Sequence, residues 1–333
     1  MRRLAAISLL AVLAAGCGSQ SGLHIENGGH TVAVVPAGSS GGGHSTTPGL
    51  PRRVTARIPL GGMPAIAWNG TSTMWAAVWA GGPHLLGSLI AVDTATGTAS
   101  PATVLPASNT PYLIAAASSA VFVAGGGAVM RIDPATGAVM QRRALGARLR
   151  ALLFAQGRLW VTADGGRLVQ LDPGTLRVVA TRHVTAHPDA ITTDAGAVLV
   201  TDDRDRTLTR MDIGTGKVTG TTSIGANGAG RPSQITVYAG SIWVYEGTTV
   251  LRVATGALQL LDHVTVPGGG GSIAAGTGGV WVSGSFGVAR IDPATGALDT
   301  PVAVGQAGAA IATTGDAVWV VQRPTGTLLR LVR

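Results

Sequence analysis

The sequence is poor in most of the groups that carry chemistry. Its 333 residues hold one cysteine, Cys17, one lysine, Lys217, and two glutamates, Glu26 and Glu246. A lone cysteine excludes an intramolecular disulfide, so the body must be held by its core. Charged residues are only 12% of the chain and hydrophobic residues 46%, which excludes a disordered polymer. The formal charge of +8 rests almost wholly on arginines scattered along the chain, with no dense basic stripe, and this argues against a nucleic-acid partner. No long stretch repeats its apolar residues with a 3.6-residue period, so long amphipathic helices are excluded. Gly-x-Ser-x-Gly is absent, and the glycine-rich stretches lack the lysine of a phosphate-binding loop. What is abundant is glycine, 50 residues with neither a collagen period nor global low complexity. Frequent tight turns are the simplest use for it.

The first residues read as a targeting segment. Arg2 and Arg3 precede an apolar run, Leu4 to Ala15, broken only by Ser8 and too short to span a bilayer comfortably. The run ends Leu13-Ala14-Ala15-Gly16-Cys17, which resembles the lipobox of bacterial lipoproteins. The resemblance implies a signal peptide over residues 1–16, cleavage after Gly16 and a lipid on Cys17. Removing the signal lowers the formal charge from +8 to +6. Residues 17–50 then form a lipid-anchored, Gly/Ser-rich linker, whose flexible length of about 30 Å would hold the body near a membrane. Within it, Thr31-Val32-Ala33-Val34-Val35 is a candidate short strand.

The remainder, 51–333, is a repeat. Ile-Ala, a glycine turn, an aromatic-Val pair, a loop and Arg-Ile-Asp-Pro-Ala-Thr-Gly recur about every forty residues. The clearest copies of the last element are Arg131–Gly137 and Arg290–Gly296, with Asp93, Asp172 and Asp212 in degenerate copies. The motif has hairpin chemistry. Asp accepts from backbone N–H groups ahead of it, Pro fixes the first corner and Gly supplies a left-handed exit. A structural turn accounts for the repeated aspartates without a calcium array. The second anchor is a large side chain in mid-repeat: Trp75, Phe122, Trp160, Leu199, Trp243, Trp281 and Trp319. These positions fit packing between repeats, and a ring of sugar-stacking tryptophans is the functional alternative.

Four short strands in a forty-residue unit describe a propeller blade, and copies starting near Ile66, Ile114, Leu152, Ile191, Ile235, Ile273 and Ile311 make seven. The predicted fold is therefore an all-β seven-bladed propeller of four-stranded antiparallel blades. Its last repeat stops at Leu328–Arg333, one strand short, and Arg53–Gly61 reads like the missing strand, so the N-terminal strand is expected to close the ring. The Ile-Ala, Trp-Val and Ile-Asp-Pro-Ala-Thr-Gly elements resemble the bacterial propellers of the YVTN and streptogramin-lyase-like superfamily over residues 53–333. That resemblance speaks to fold more than to function.

By analogy with other propellers, the loops from the second strand to the third and from one blade to the next share one face at the channel mouth. Candidate ligand-binding residues there are Tyr112, Arg148, His187, Asp189 and Arg231 in the inter-blade loops. Asp164, Arg167, Asp202, Asp203, Asp205, Glu246 and Arg323 belong to the other set. They concentrate on blades three to five. The run Asp202-Asp203-Arg204-Asp205-Arg206 lacks the glycine and closing glutamate of an EF-hand, and His183 and His187 lack a nearby third ligand, so no metal, cofactor or catalytic residue is expected. The expected function is a monomeric, non-catalytic module, lipid-anchored outside the cytoplasm, that binds an envelope protein, glycan or small ligand. The alternative is a streptogramin-lyase-like or lactonase-like metal-assisted enzyme with its site at the channel mouth, for which His187, Asp189 and Glu246 are the residues to test. The family's Thr-Glu after the aromatic-Val pair is missing here, and Trp243-Val244-Tyr245-Glu246 comes nearest.

Overall fold

The computed structural model describes residues 22–26, 30–34, 53–79, 87–105, 113–225, 230–269, 271–276, 278–305 and 307–332. Among these there are strands and turns and no helix. Seven antiparallel sheets follow one another in chain order, and each predicted blade start falls in the innermost strand of its sheet. Blade 4 shows the plan. Its strands run Pro188–Asp194, Ala197–Asp202, Thr207–Asp212 and Val218–Ser223, from the channel outward.

The predicted ring closure is present. Arg53–Pro59 pairs antiparallel with Thr327–Val332, from Val332↔Arg53 to Thr327↔Pro59, and supplies the outermost strand of blade 7. Blade 6 departs from the plan. Beyond Gly287–Ile291 its fourth strand is reduced to bridges at Val288↔Val302 and Ile291↔Leu298. Pro301 lies between those bridges and cannot donate to the ladder. Blade 1 shows the same effect, its fourth strand shrinking to Thr103–Val104 just after Pro101.

The mid-repeat side chains are core. Phe122, Trp160, Leu199, Trp243, Trp281 and Trp319 are at most 1% exposed, so none is free to stack on a sugar. Burying an aromatic of this size contributes roughly 2–3 kcal/mol each. The residue opposite, on the third strand, is an arginine in five blades: Phe122↔Arg131, Leu199↔Arg210, Trp243↔Arg252, Trp281↔Arg290 and Trp319↔Arg330. The guanidinium of Arg252 lies 5.3 Å from the Trp243 ring centre and that of Arg330 5.8 Å from Trp319. On blades 5 and 7 the arginine at this position thus lies over the blade's tryptophan, whereas Arg290 on blade 6 turns to Asp292 and Asp299.

The aspartates act as the motif predicts. Asp172 accepts from the backbone of Gly174 (3.1 Å) and Thr175 (2.8 Å) and from the Thr175 hydroxyl (2.8 Å), and Asp93 and Asp212 make the same contact with their own threonines. Two of these turns also rest on the blade before them. Arg143 of blade 2 donates to the Leu176 carbonyl (3.1 Å), and Arg182 of blade 3 to that of Gly216 (3.2 Å).

A backbone hairpin, Gly22–Glu26 with His30–Val34, occupies the centre of the ring. Its second strand, which contains most of the candidate strand 31–35, pairs parallel with the innermost strand of blade 7 at Thr31↔Ala310 and Val32↔Ile311. The hairpin lies against the innermost strands of all seven blades.

Candidate functional site

The pairings Leu149↔Ala163, Pro188↔Asp202 and Pro232↔Glu246 bring the start of each innermost strand beside the end of the second. Both loop sets therefore open on one face, as expected. On blade 2 this face carries Gly126 and Gly127, and on blade 6 it carries Gly268, Gly269 and Gly271. Among the described residues, blades 3 to 5 carry most of the charge.

Blade 4 is the centre. Asp202 ends its second strand and is fully buried. One carboxylate oxygen accepts from the Thr185 hydroxyl and the His187 backbone (2.7 Å), and the other from the backbones of Arg204 (2.9 Å) and Asp205 (2.7 Å). Thr185 and His187 precede the blade's first strand, whereas Arg204 and Asp205 follow its second. A single carboxylate staples the two loops together. Burial works against its charge, but the hydrogen bonds from Thr185, Asp205, His187 and Arg204 outweigh that and hold Asp202 below the usual carboxylate range. The Asp203 backbone also donates to the His187 carbonyl (3.3 Å), a bond repeated on blade 3 from Asp164 to Arg148 (2.9 Å).

Blade 3 contributes an ion-pair relay. Arg150, on the innermost strand Leu149–Ala155, donates to Asp164 at 2.7 Å and lies 3.7 Å from buried Asp189 of blade 4. Burial alone would lower the Arg150 pKa; Asp164, Asp189 and Asp203 overcome this and raise it. Arg167 braces the same loop, donating to the carbonyls of Asp164 (3.2 Å) and Leu145 (3.5 Å). Asp203 lies 3.6 Å from Arg231, an exposed residue at the entry to blade 5.

Glu246 ends the second strand of blade 5, in the register position of Asp202, and its environment is the opposite. It is fully buried, neither carboxylate oxygen has a hydrogen-bond partner, and burial pushes its pKa up against a smaller opposing pull from Arg206. Of the other candidates, Arg148 and Asp205 are exposed. Arg323 stands apart on blade 7, where burial lowers its pKa. Tyr112 and Cys17 lie outside the described residues.

The structure brings together Asp164, Asp189, His187, Asp202, Asp203, Asp205 and Arg231, and it adds residues the loop reading missed. Arg150 and Thr185 complete the network. Arg150 is legible afterwards as a lone cation in the apolar run Leu149–Ala155. The three residues proposed for an enzyme diverge, since Asp189 faces Arg150, Glu246 feels Arg206, and His187 faces Asp202. One group of possible metal ligands does form. Ligand atoms of His187, Asp202 and Asp205 lie within 4.8 Å of one another.

Solved structures share the architecture. The structure of BamB from Moraxella catarrhalis is 14% identical, with a TM-score of 0.59 over 82% of this chain and 86% of that one. A chain of a mitotic checkpoint complex is 12% identical, with a TM-score of 0.66 over 89% of this chain and 98% of that one. The propeller domain of Cps50 (Swd1) from Myceliophteria thermophila is 11% identical, with a TM-score of 0.69 over 84% and 99%. At such identities the likeness is one of fold. No curated protein matches the chain in sequence. A family model does match residues 86–254, half of the chain and all of the charged arc on blades 3 to 5, and by that match the chain belongs to the family described as outer membrane protein assembly factor BamB.

Proposed function

We propose that the protein is an exported envelope lipoprotein, anchored through Cys17, whose loop face over blades 3 to 5 docks another envelope protein. The carrying observation is the asymmetry of that face, with a relay from Arg150 through Asp164, Asp189 and Asp203 to Arg231 on one arc and glycine loops beside it. Hydrogen-bonded, oppositely charged groups of this kind set orientation and discrimination in protein–protein recognition. A glycan reader would need exposed aromatic faces, and the tryptophans at the repeat position on blades 3, 5, 6 and 7 are buried. The family relationship supports the same reading, because its description names a factor that works in protein assembly at a membrane.

The test is crosslinking in cells. A photoreactive residue placed at Arg231 or Asp205 should capture a discrete protein partner, whereas one at Gly157, in a turn at the opposite end of blade 3, should not. Arg231→Glu should reduce capture at Asp205 by about tenfold, the scale of one exposed charge pair plus its repulsive replacement. Equal capture from the two ends would sink the docking reading. Separately, Cys17→Ala should release the protein from the membrane fraction and abolish incorporation of labelled fatty acid.

A further inference from the structure

We propose that His187, Asp202 and Asp205 form a binding site for a divalent transition-metal ion of the zinc type. The inference does not rest on the docking reading. It begins from an unexplained atom. Nδ1 of His187 is shut off from water, has no hydrogen-bond partner and lies 3.8 Å from the nearer oxygen of Asp202. That gap is too long for a hydrogen bond. It suits two ligands of one ion, since metal–nitrogen and metal–oxygen bonds of about 2.0–2.2 Å allow ligand atoms up to roughly 4.2 Å apart.

The remaining features follow the same chemistry. The three ligand atoms lie within 4.8 Å of one another, so only a small inward shift is needed, and Asp205 is the exposed member free to make it. Two carboxylates and a neutral imidazole match a dication in charge. One nitrogen with two oxygens favours zinc or cobalt over calcium or magnesium, which take oxygen ligands. Asp202 is fixed in place by the Thr185 hydroxyl and the His187 backbone on one oxygen and by the backbones of Arg204 and Asp205 on the other, and the oxygen facing His187 would exchange one of its two backbone donors for the ion. His187 is fixed as well, its backbone donating to Asp202 and its carbonyl accepting from Asp203. The site also joins the two loops of blade 4, so an occupant would stiffen the middle of the charged arc.

Full-length protein in detergent is titrated with Zn²⁺ by calorimetry and with Co²⁺ by visible absorption, alongside His187→Gln and Asp205→Asn. Asp205→Asn alters an exposed group and is not expected to disturb folding; equal melting temperatures without metal check this for both variants. The proposal expects saturable binding of one ion, a metal-dependent rise in melting temperature, and at least about a tenfold loss of affinity in each variant. Absence of binding, or binding of undiminished affinity in both variants, overturns it.

Discussion

Two acidic residues at one register position have opposite surroundings, and their contributions to stability have opposite pH dependence. Asp202 has donors on both oxygens, and its folded-state pKa lies below its unfolded value. Its stabilisation is therefore present above the unfolded pKa and is lost as pH falls through the folded one. Asp202→Ala should remove the staple between residues 184–187 and 203–206 and cost about 2–4 kcal/mol at pH 7, since it strands several buried donors. Hydrogen exchange should accelerate in those two loops first. Glu246 is the reverse case, with a folded pKa raised by burial and no donor to relieve it. The folded state then binds the proton more tightly than the unfolded chain, and stability falls as pH climbs from the unfolded pKa through the folded one. Glu246→Gln should thus stabilise the protein by on the order of 1 kcal/mol at neutral pH. The gain should vanish near pH 4, where the parent's Glu246 is already protonated. A gain that persists undiminished at low pH would contradict the assignment.

At the scale of the element, the Asp-Pro-Ala-Thr-Gly turn shows how much a hairpin's last residue depends on its neighbours. Gly137 has φ +71°, and a Cβ there would come 2.4 Å from the Thr103 hydroxyl of blade 1. Gly157 has a similar φ of +67° and nothing within 4 Å. Alanine at Gly157 should cost about 1 kcal/mol, the left-handed penalty alone, and at Gly137 about 2–3 kcal/mol, the excess reporting contact between blades. Blade 3 carries Leu176 at the corresponding position, with φ +54° and 1% exposure. Leu176→Gly would relieve roughly 1 kcal/mol of backbone strain but surrender some 2–3 kcal/mol of burial, so it should destabilise on balance despite glycine's preference for that conformation. Chemical denaturation of the four proteins decides between these terms. The turn was legible in sequence because Asp, Pro and Gly each have a local reason to be there. The seat of each turn on the preceding blade was not, because Thr103 and Gly137 meet only once the sheets are stacked. The same division separates the parts of the candidate site. Asp202, Asp203 and Asp205 stand together in the chain and His187 stands beside Asp189, so all are legible as candidates; that His187 faces Asp202 while Asp189 turns to Arg150 follows only from the folded loops. Arg150 looked like one more strand residue until Asp164 and Asp189 closed on it from two loops.

For the whole molecule, closure by shared strands is the feature on which stability should hinge. The ring is latched where Arg53–Pro59 completes blade 7, burying Ile58 and Leu60 and adding a bond from the Leu60 backbone to the Gly326 carbonyl (3.2 Å). Deleting residues 51–61 should cost about 5 kcal/mol from two buried aliphatic side chains and one strand ladder, a third or more of a typical domain's stability, and lower Tm by roughly 10–20 °C. Deletion alone confounds latching with lost surface, and circular permutation separates them. In the body 53–332, joining Val332 to Arg53 by a short turn leaves composition intact and lets the opening be chosen. Opened in the Gly157 turn, the chain splits blade 3 between its two ends and recreates a latch there. Opened at Gly146, between blades 2 and 3, every blade is continuous and only side-chain contacts hold the gap, among them the bonds from Arg143 to the Leu176 carbonyl and from Arg167 to that of Leu145. The first permutant should melt near its unpermuted parent and the second well below it, since only the second exposes an interface that thermal motion can part without breaking a sheet. Equal melting temperatures would mean that packing between blades, rather than the shared strand, keeps the circle shut.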